Sequence, residues 1–273
     1  MQYLTALVLA VVQGLTEFIP ISSSGHLALL QVMLNFQEPP IAFDLVLHIG
    51  TLVAVIVYYR ADLTDMLRDA ARPARWLRPN APEATAGKMM SLIVVASIPT
   101  ALIGFAVESR VEAAFSDLRS IGYEFIIGGV IMFLTLLRKH PARDLAGMRV
   151  VDAIVIGVLQ GIAVFPAISR SGATISGALL LGLRPDLAGR FSFLLSIPAI
   201  LGACLLEARY IAGQIHSAES LLIYGVSGAV AGIIGYLSIR PLIRMLQSAK
   251  FHYFAYYCVI LGLAILFWTG VGV

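Results

Sequence analysis

Gln13-Gly14-Leu15-Thr16-Glu17-Phe18, closed by Ser22-Ser23-Ser24-Gly25, is the stretch on which the fold turns, because it occurs twice. At a constant spacing of 147 residues the chain repeats it as Gln160-Gly161-Ile162-Ala163-Val164-Phe165 and Ser169-Arg170-Ser171-Gly172. With one residue added the likeness carries on. Phe43 pairs with Phe191, and Leu47-His48-Ile49 with Leu195-Ser196-Ile197. Each Ser/Gly loop follows an apolar run, Leu4–Ile21 or Val150–Ile168, and precedes a second, shorter one.

The rest of the chain says what medium these loops sit in. Of 273 residues, 59% are apolar and 13% charged, and the mean hydropathy is +0.89. Soluble domains carry about a quarter charged residues, so there is too little charge here to coat a water-facing surface. The apolar residues form blocks at 43–60, 89–107, 121–137, 191–208, 219–239 and 251–271. Each is close to the ~17–25 residues that cross a bilayer as a helix. Met1–Val12 has no basic flank and no small-residue cleavage site after it, so it is expected to stay as structure rather than act as a leader. Cys204 and Cys258 lie inside apolar blocks and are expected to be core residues, with no disulfide or metal-ligand spacing.

Charge gives the orientation. Arg60, Arg68, Arg72, Arg75, Arg78 and Lys88 flank the first long loop, which is expected to be solvated. Arg138, Lys139, Arg143 and Arg149 follow the third block, and Arg240, Arg244 and Lys250 precede the last. Basic loops face the cytoplasm. The loops Glu108–Ser120 and Glu207–Ser220 hold only Arg110, Arg119 and Arg209, and fall outside. Span 43–60 then runs inward and span 191–208 runs outward. Residues 1–42 must begin and end outside, and 150–190 must begin and end inside. The expectation is an all-α integral membrane protein of six transmembrane helices plus two re-entrant hairpins, 1–36 and 150–183. Its halves, 1–149 and 150–273, are inverted-topology repeats. Such repeats place their site near the midplane, where they meet.

The loops carry the chemistry. Pro20 and Pro166 interrupt the incoming helices, while Ser24 and Ser171 are expected to cap the outgoing ones, with Gly25 and Gly172 just inside. Two helix N-termini would converge and offer unpaired N–H groups to an anion. Arg170 lies away from the interfacial charge clusters, and a guanidinium at that depth marks either a functional site or a buried pair. Its fork suits phosphate, with Ser22, Ser169 and Thr174 as further phosphate contacts. Glu17 could hold a divalent metal together with Gln13, one turn earlier on the same face, or act as a base; the bland reading is an ion pair with Arg170. His26 could be an acid, a nucleophile or an orienter. Ser23 is the serine left over as nucleophile or phosphate ligand. His48 is read as a core histidine, His140, His216 and His252 as solvated, and Asp44, Glu124 and Asp152 as residues snorkelling near span ends.

On these motifs the chain resembles the undecaprenyl-diphosphate phosphatases, also called bacitracin-resistance proteins. Gln13 to Glu17 matches that family's Glu/Gln-x-x-x-Glu motif, and Pro166-Ala167-Ile168-Ser169-Arg170-Ser171-Gly172-Ala173-Thr174 matches its Pro-Gly-x-Ser-Arg-Ser-x-x-Thr motif. Gln13 stands where Glu is frequent, and Ala167 where Gly is usual. The resemblance covers essentially the whole chain. It implies an enzyme of the bacterial inner membrane, open to the periplasm, that removes the terminal phosphate of a polyprenyl diphosphate in cell-wall carrier recycling. It further implies dependence on Mg²⁺ or Ca²⁺, and it matches Glu17, Ser23, His26 and Arg170 to the family's proposed catalytic residues. Partners are the lipid substrate and the bilayer; a homodimer is left open and no nucleic acid is expected. The rival is a transporter or flippase for a lipid phosphate or small anion, since inverted repeats are transporter architecture. A second lipid-phosphatase superfamily is echoed by Ser24-Gly25-His26 and Ser169-Arg170, but Ser176 stands where its second His belongs.

Overall fold

The computed structural model describes residues 2–36, 40–71, 85–138, 141–212, 218–248 and 250–271, and eleven α-helices run through them. They are α1 (Gln2–Thr16), α2 (Ser23–Met33), α3 (Pro40–Tyr58), α4 (Arg60–Ala70), α5 (Ala86–Phe115), α6 (Leu118–Phe133), α7 (Val150–Ile162), α8 (Arg170–Leu180), α9 (Pro185–Ala212), α10 (Ala218–Gln247) and α11 (Tyr253–Val271). A 3₁₀ turn, Leu134–Leu137, extends α6. Six of them, in α3, α5, α6, α9, α10 and α11, are long and apolar enough to cross a membrane. The four others near the Ser/Gly loops, α1, α2, α7 and α8, have only 15, 11, 13 and 11 residues, too short for a hydrocarbon core of about 30 Å. Leu102, Phe105, Leu205 and Phe267 are each more than 60% exposed, which suits a lipid-facing belt and no aqueous surface. This is a multi-pass membrane protein.

Several expected spans are longer in the structure. α5 runs on past Glu108 and Arg110, and α10 past Arg240 and Pro241. Pro99 lies inside α5 and removes one N–H from its ladder. Beside it Ser97 Oγ donates back to Ile93 O (2.8 Å), and Thr100 Oγ1 shares its proton between Ala96 O (3.0 Å) and, across to α7, Gly157 O (2.9 Å), so both hydroxyls have partners that lipid would not supply. α4 was not expected. Its Leu63 and Met66 turn inward while Arg68 stays exposed, so the beginning of the supposed loop is an amphipathic helix. Arg72, Arg75, Arg78, Lys139, His140 and His216 lie outside the described residues.

Two acids expected to snorkel do not. Glu124 is 5% exposed and Asp152 fully buried. Asp152 pairs with Arg143 (2.6 Å) and accepts from the Arg149 N–H (2.7 Å). Arg143 also donates to Leu181 O (2.7 Å), so it ties the start of α7 to the end of α8. In each case a local donor replaces the water that a snorkelling carboxylate would seek.

The helices come closest where glycines face each other. A Cβ on Gly50 of α3 would overlap the Gly228 carbonyl of α10, with Gly232 just beyond. Small residues at such crossings let backbones touch. Gly50→Ala is expected to cost about 1–3 kcal/mol through overpacking and to lower the thermal midpoint in detergent. Gly202→Ala, which meets nothing within 4 Å, should leave it unchanged.

Candidate active site

Both loops are built alike. In the first, Ser22 Oγ accepts from Gly25 N (3.2 Å); in the second, Ser169 Oγ accepts from Gly172 N (3.1 Å). The caps are therefore Ser22 and Ser169, two residues earlier than the expected Ser24 and Ser171. α2 starts at Ser23 and α8 at Arg170, which are equivalent positions of the two copies. The loops also hold each other. Ser22 Oγ donates to Pro166 O (2.5 Å), while Glu124 of α6 accepts from Ala167 N (2.8 Å) and so pins the second loop from a neighbouring helix.

Between them sits one carboxylate. Glu17 has a side chain 3% exposed and is approached from four sides. Arg170 donates to Oε1. Ser23 Oγ donates to Oε2 (2.6 Å), and so does Gln13 Nε2 (3.0 Å). His48 Nε2 lies 3.5 Å from Oε2, and its Nδ1 donates to Asp44 O (2.8 Å). The two helix-starting residues thus meet on the same acid. Arg170 reaches towards Ser196 O (3.5 Å), and Ser196 is the repeat equivalent of His48.

A cavity of about 210 Å³ opens beside this group. Glu17, Ser22, Ser23, Ser24, His48, Ser169 and Arg170 supply polar lining, and Thr100 and Gln160 add to it. Ala163, Val164, Phe165, Ile168, Ala199, Ile200 and Ala203 supply apolar lining. A lining of both kinds suits an anionic head carried on an apolar tail. Ser23 and Glu17 have the geometry of a nucleophile hydrogen-bonded to its base, and the planar guanidinium of Arg170 beside them has the shape that grips two oxygens of an anion.

Not every expected residue joins the site. His26 does not line the cavity. Its ring lies between Phe125 and Tyr257, with Nδ1 2.6 Å from Ser22 O and Nε2 2.7 Å from Tyr257 Oη. Thr174 is fully buried against Ser192 Oγ (2.6 Å), and Ser171 bonds Ser169 (3.2 Å). Gly25 and Gly172 serve as backbone, Gly25 lying so near the Phe125 ring and Ala167 that a Cβ would not fit. These four shape the loops rather than face the cavity. His48 is the converse case, a residue at the site that was read as core. The signal was the repeat itself, since His48 breaks the pairing with Ser196 as Arg170 breaks it with Ser23.

Among the described residues no three His, Cys, Asp or Glu side chains gather for a metal. Gln13 Oε1, however, is fully buried and has no hydrogen-bond partner, while its amide is joined to Glu17. One carboxylate and one orphaned carbonyl oxygen are ligand types that a hard cation takes, as Mg²⁺ does with phosphate oxygens beside them; Gln13 does not line the cavity and turns its N–H to Glu17, so its amide would have to turn for both to reach one cation.

A family model described as bacitracin resistance protein BacA matches residues 6–264. A protein of Carboxydothermus hydrogenoformans named undecaprenyl-diphosphatase is 40% identical over 263 residues, 96% of this chain and 95% of its own. One of Desulfosudis oleivorans with the same name is 40% identical over 99% of both chains. A third, from Korarchaeum cryptofilum, is 39% identical over 97% of this chain and 99% of its own.

Proposed function

This chain belongs to the bacitracin resistance protein BacA family, and from that premise we propose that its two-loop site hydrolyses undecaprenyl diphosphate to undecaprenyl phosphate and phosphate. The observation that carries the reading is Ser23 bonded to Glu17 with Arg170 on the same carboxylate, beside a cavity lined by both polar and apolar residues.

The diphosphate enters with its terminal phosphate at Arg170, which exchanges Glu17 for phosphoryl oxygens. Ser23 Oγ attacks that phosphorus as the bond to the bridging oxygen breaks. Its proton goes to Glu17 and from there to water in the cavity, while the lipid phosphate leaves on the opposite side as its anion. The restored carboxylate then activates a water that hydrolyses the Ser23 phosphoester, releasing phosphate. Arg170 holds the charge that develops on the equatorial oxygens in both steps, which is most of what phosphoryl transfer demands. His48, 3.5 Å from Oε2, borders the same carboxylate. A divalent metal, Mg²⁺ or Ca²⁺, is part of the proposal. Glu17 and Gln13 Oε1 would hold it, and when bound it would neutralise charge on the phosphate oxygens.

The same reading covers the architecture. The two short pairs α1–α2 and α7–α8 are re-entrant hairpins, and 1–149 and 150–273 are inverted repeats. Arg143 supports this, because it touches both ends of the second pair. Packing supports it too. Gly14 of α1 lies against α10 as its repeat equivalent Gly161 of α7 lies against Ile103 of α5. The protein then sits in the bacterial inner membrane. In this reading the cavity opens to the periplasm, because Ala199, Ile200 and Ala203 of its lining fall in the half of α9 that the charge pattern puts outside. Self-association as a homodimer belongs to the same reading.

The test is phosphate release by purified protein in detergent, where no second compartment exists. Release from the C55 diphosphate is expected, with at least about a tenfold loss in EDTA that Mg²⁺ or Ca²⁺ restores. Binding without release would support a carrier and sink the hydrolase. Full activity in EDTA would remove the metal alone.

A further inference from the structure

We propose that His26 and Tyr257 form a strut that acts through the Ser22 backbone and aims Ser23 at Glu17, without touching the reacting phosphate. The proposal rests on the reading of Ser23 as nucleophile. It starts from a strained residue. Ser22 has φ of 65°, a left-handed conformation that costs a non-glycine residue and persists only where its surroundings impose it. Four contacts impose it here. Ser22 Oγ donates to Pro166 O, Gly25 N donates to Ser22 Oγ, the His26 backbone N–H reaches Ser22 O only at 3.4 Å, and His26 Nδ1 holds the same carbonyl at 2.6 Å.

The last contact fixes the histidine. A carbonyl can only accept, so Nδ1 carries the proton, and in the neutral ring Nε2 is left with its lone pair. Tyr257 Oη lies 2.7 Å from Nε2 and donates to it. The Tyr257 ring stacks on the imidazole, with centroids 5.7 Å apart and planes at 10°, and Phe125 meets it edge-on from the other helix. Both ring nitrogens are therefore engaged, and the ring stands away from the cavity that Ser22, Ser23 and Ser24 line. What His26 controls is the carbonyl of the residue immediately before Ser23. A turn of the Ser22 backbone would carry Ser23 Oγ off its 2.6 Å contact with Glu17. Tyr257, on α11 and 43% exposed, is then a positioning residue one step further out. It holds the imidazole by its hydroxyl and its face.

The side-chain amide of Asn overlays Nδ1 of histidine, whereas that of Gln overlays Nε2. His26→Asn can keep the bond to Ser22 O; His26→Gln cannot. We expect His26→Asn to keep kcat within about tenfold, and His26→Gln to lose roughly a hundredfold or more, the usual effect of a small misplacement. Tyr257→Phe keeps the stacking and should lower kcat roughly five- to tenfold at constant KM. Adding it to His26→Asn should lower kcat no further, since the two act as one unit. Thermal midpoints in detergent identify variants that fail to fold. Ring ¹⁵N spectra of the wild-type protein give a readout independent of activity, with the proton expected on Nδ1. The strut is overturned by a His26→Asn variant that folds yet is as inactive as His26→Gln, by a proton on Nε2, or by a phosphoryl group trapped on His26. Failure of the wild-type protein to release phosphate would instead sink the hydrolase reading, and the ¹⁵N result would still judge the strut.

Discussion

Arg170→Ala is expected to lower phosphate release by roughly a thousandfold or more, the range seen when a single guanidinium that stabilises a transferring phosphoryl group is removed. The loss should fall mainly on kcat. The charge that Arg170 meets is greatest in the transition state, and an interaction made chiefly there lowers kcat rather than raising KM. Arg170→Lys separates charge from shape. A lysine keeps the cation but lacks the planar fork that grips two oxygens, so it should recover only part of the loss. The variant also tests the alternative that Arg170 is merely a staple. Removing it leaves Glu17 buried beside Ser23, Gln13 and His48 without its guanidinium, and breaking a buried pair costs about 3–5 kcal/mol. Yet Ser22 to Pro166 still joins the two loops, and Glu124 of α6 still holds the second one at Ala167. A staple variant would therefore melt early but turn over normally below its midpoint. An active variant of low thermal midpoint would overturn the catalytic role of Arg170.

The spans were legible in the sequence because lipid sets a length, and an apolar run of that length is visible without any knowledge of neighbours. Their ends were not. α5 continues through Glu108, Arg110 and Glu112, and α10 continues through Pro241. A helix that is already formed outlasts the bilayer, and a proline removes only one of its bonds. α4 was hidden for the opposite reason. Its charges outweigh Leu63 and Met66, and a charge count sees a loop where period 3.6 would have shown a helix. Within the site, Glu17 and Arg170 were legible as charged residues that one copy of the repeat has and the other lacks, and Ser23 as the serine that stands where the second copy has Arg170. The capping serines were misplaced by two positions because any serine in Ser22-Ser23-Ser24 can cap. The crowding of Gly25 by Phe125 and Ala167 shows how far into the helix that residue lies, and that crowding is tertiary. His26 and His48 exchanged roles for the same reason. Whether a histidine on an apolar helix faces a cavity depends on Tyr257 and Glu17, residues 231 and 31 positions away.

Glu17→Gln is the sharper probe of the scheme, because it changes charge and basicity while hardly changing volume. A glutamine can still accept from Ser23, so the hydroxyl can stay in place. It cannot take the serine proton, and its amide N–H₂ would face the guanidinium of Arg170, donor against donor. Phosphate release should fall by roughly a thousandfold, within the range attributed to a lost general base. Glu17→Asp keeps the charge but withdraws it by one methylene from Ser23, and it should sit between the two. The decisive comparison is the double variant Glu17→Gln/Arg170→Ala. If the pair is one catalytic unit, the double variant should be little worse than either single one, as catalytic groups that act together are strongly non-additive. Independent losses that multiply to about a millionfold would mean that Glu17 and Arg170 act on different steps. Removing both charges also abolishes the unpaired carboxylate left by Arg170→Ala. The double variant should therefore regain thermal stability over Arg170→Ala while staying inactive. Stability then recovers while turnover does not, which a purely structural ion pair cannot produce.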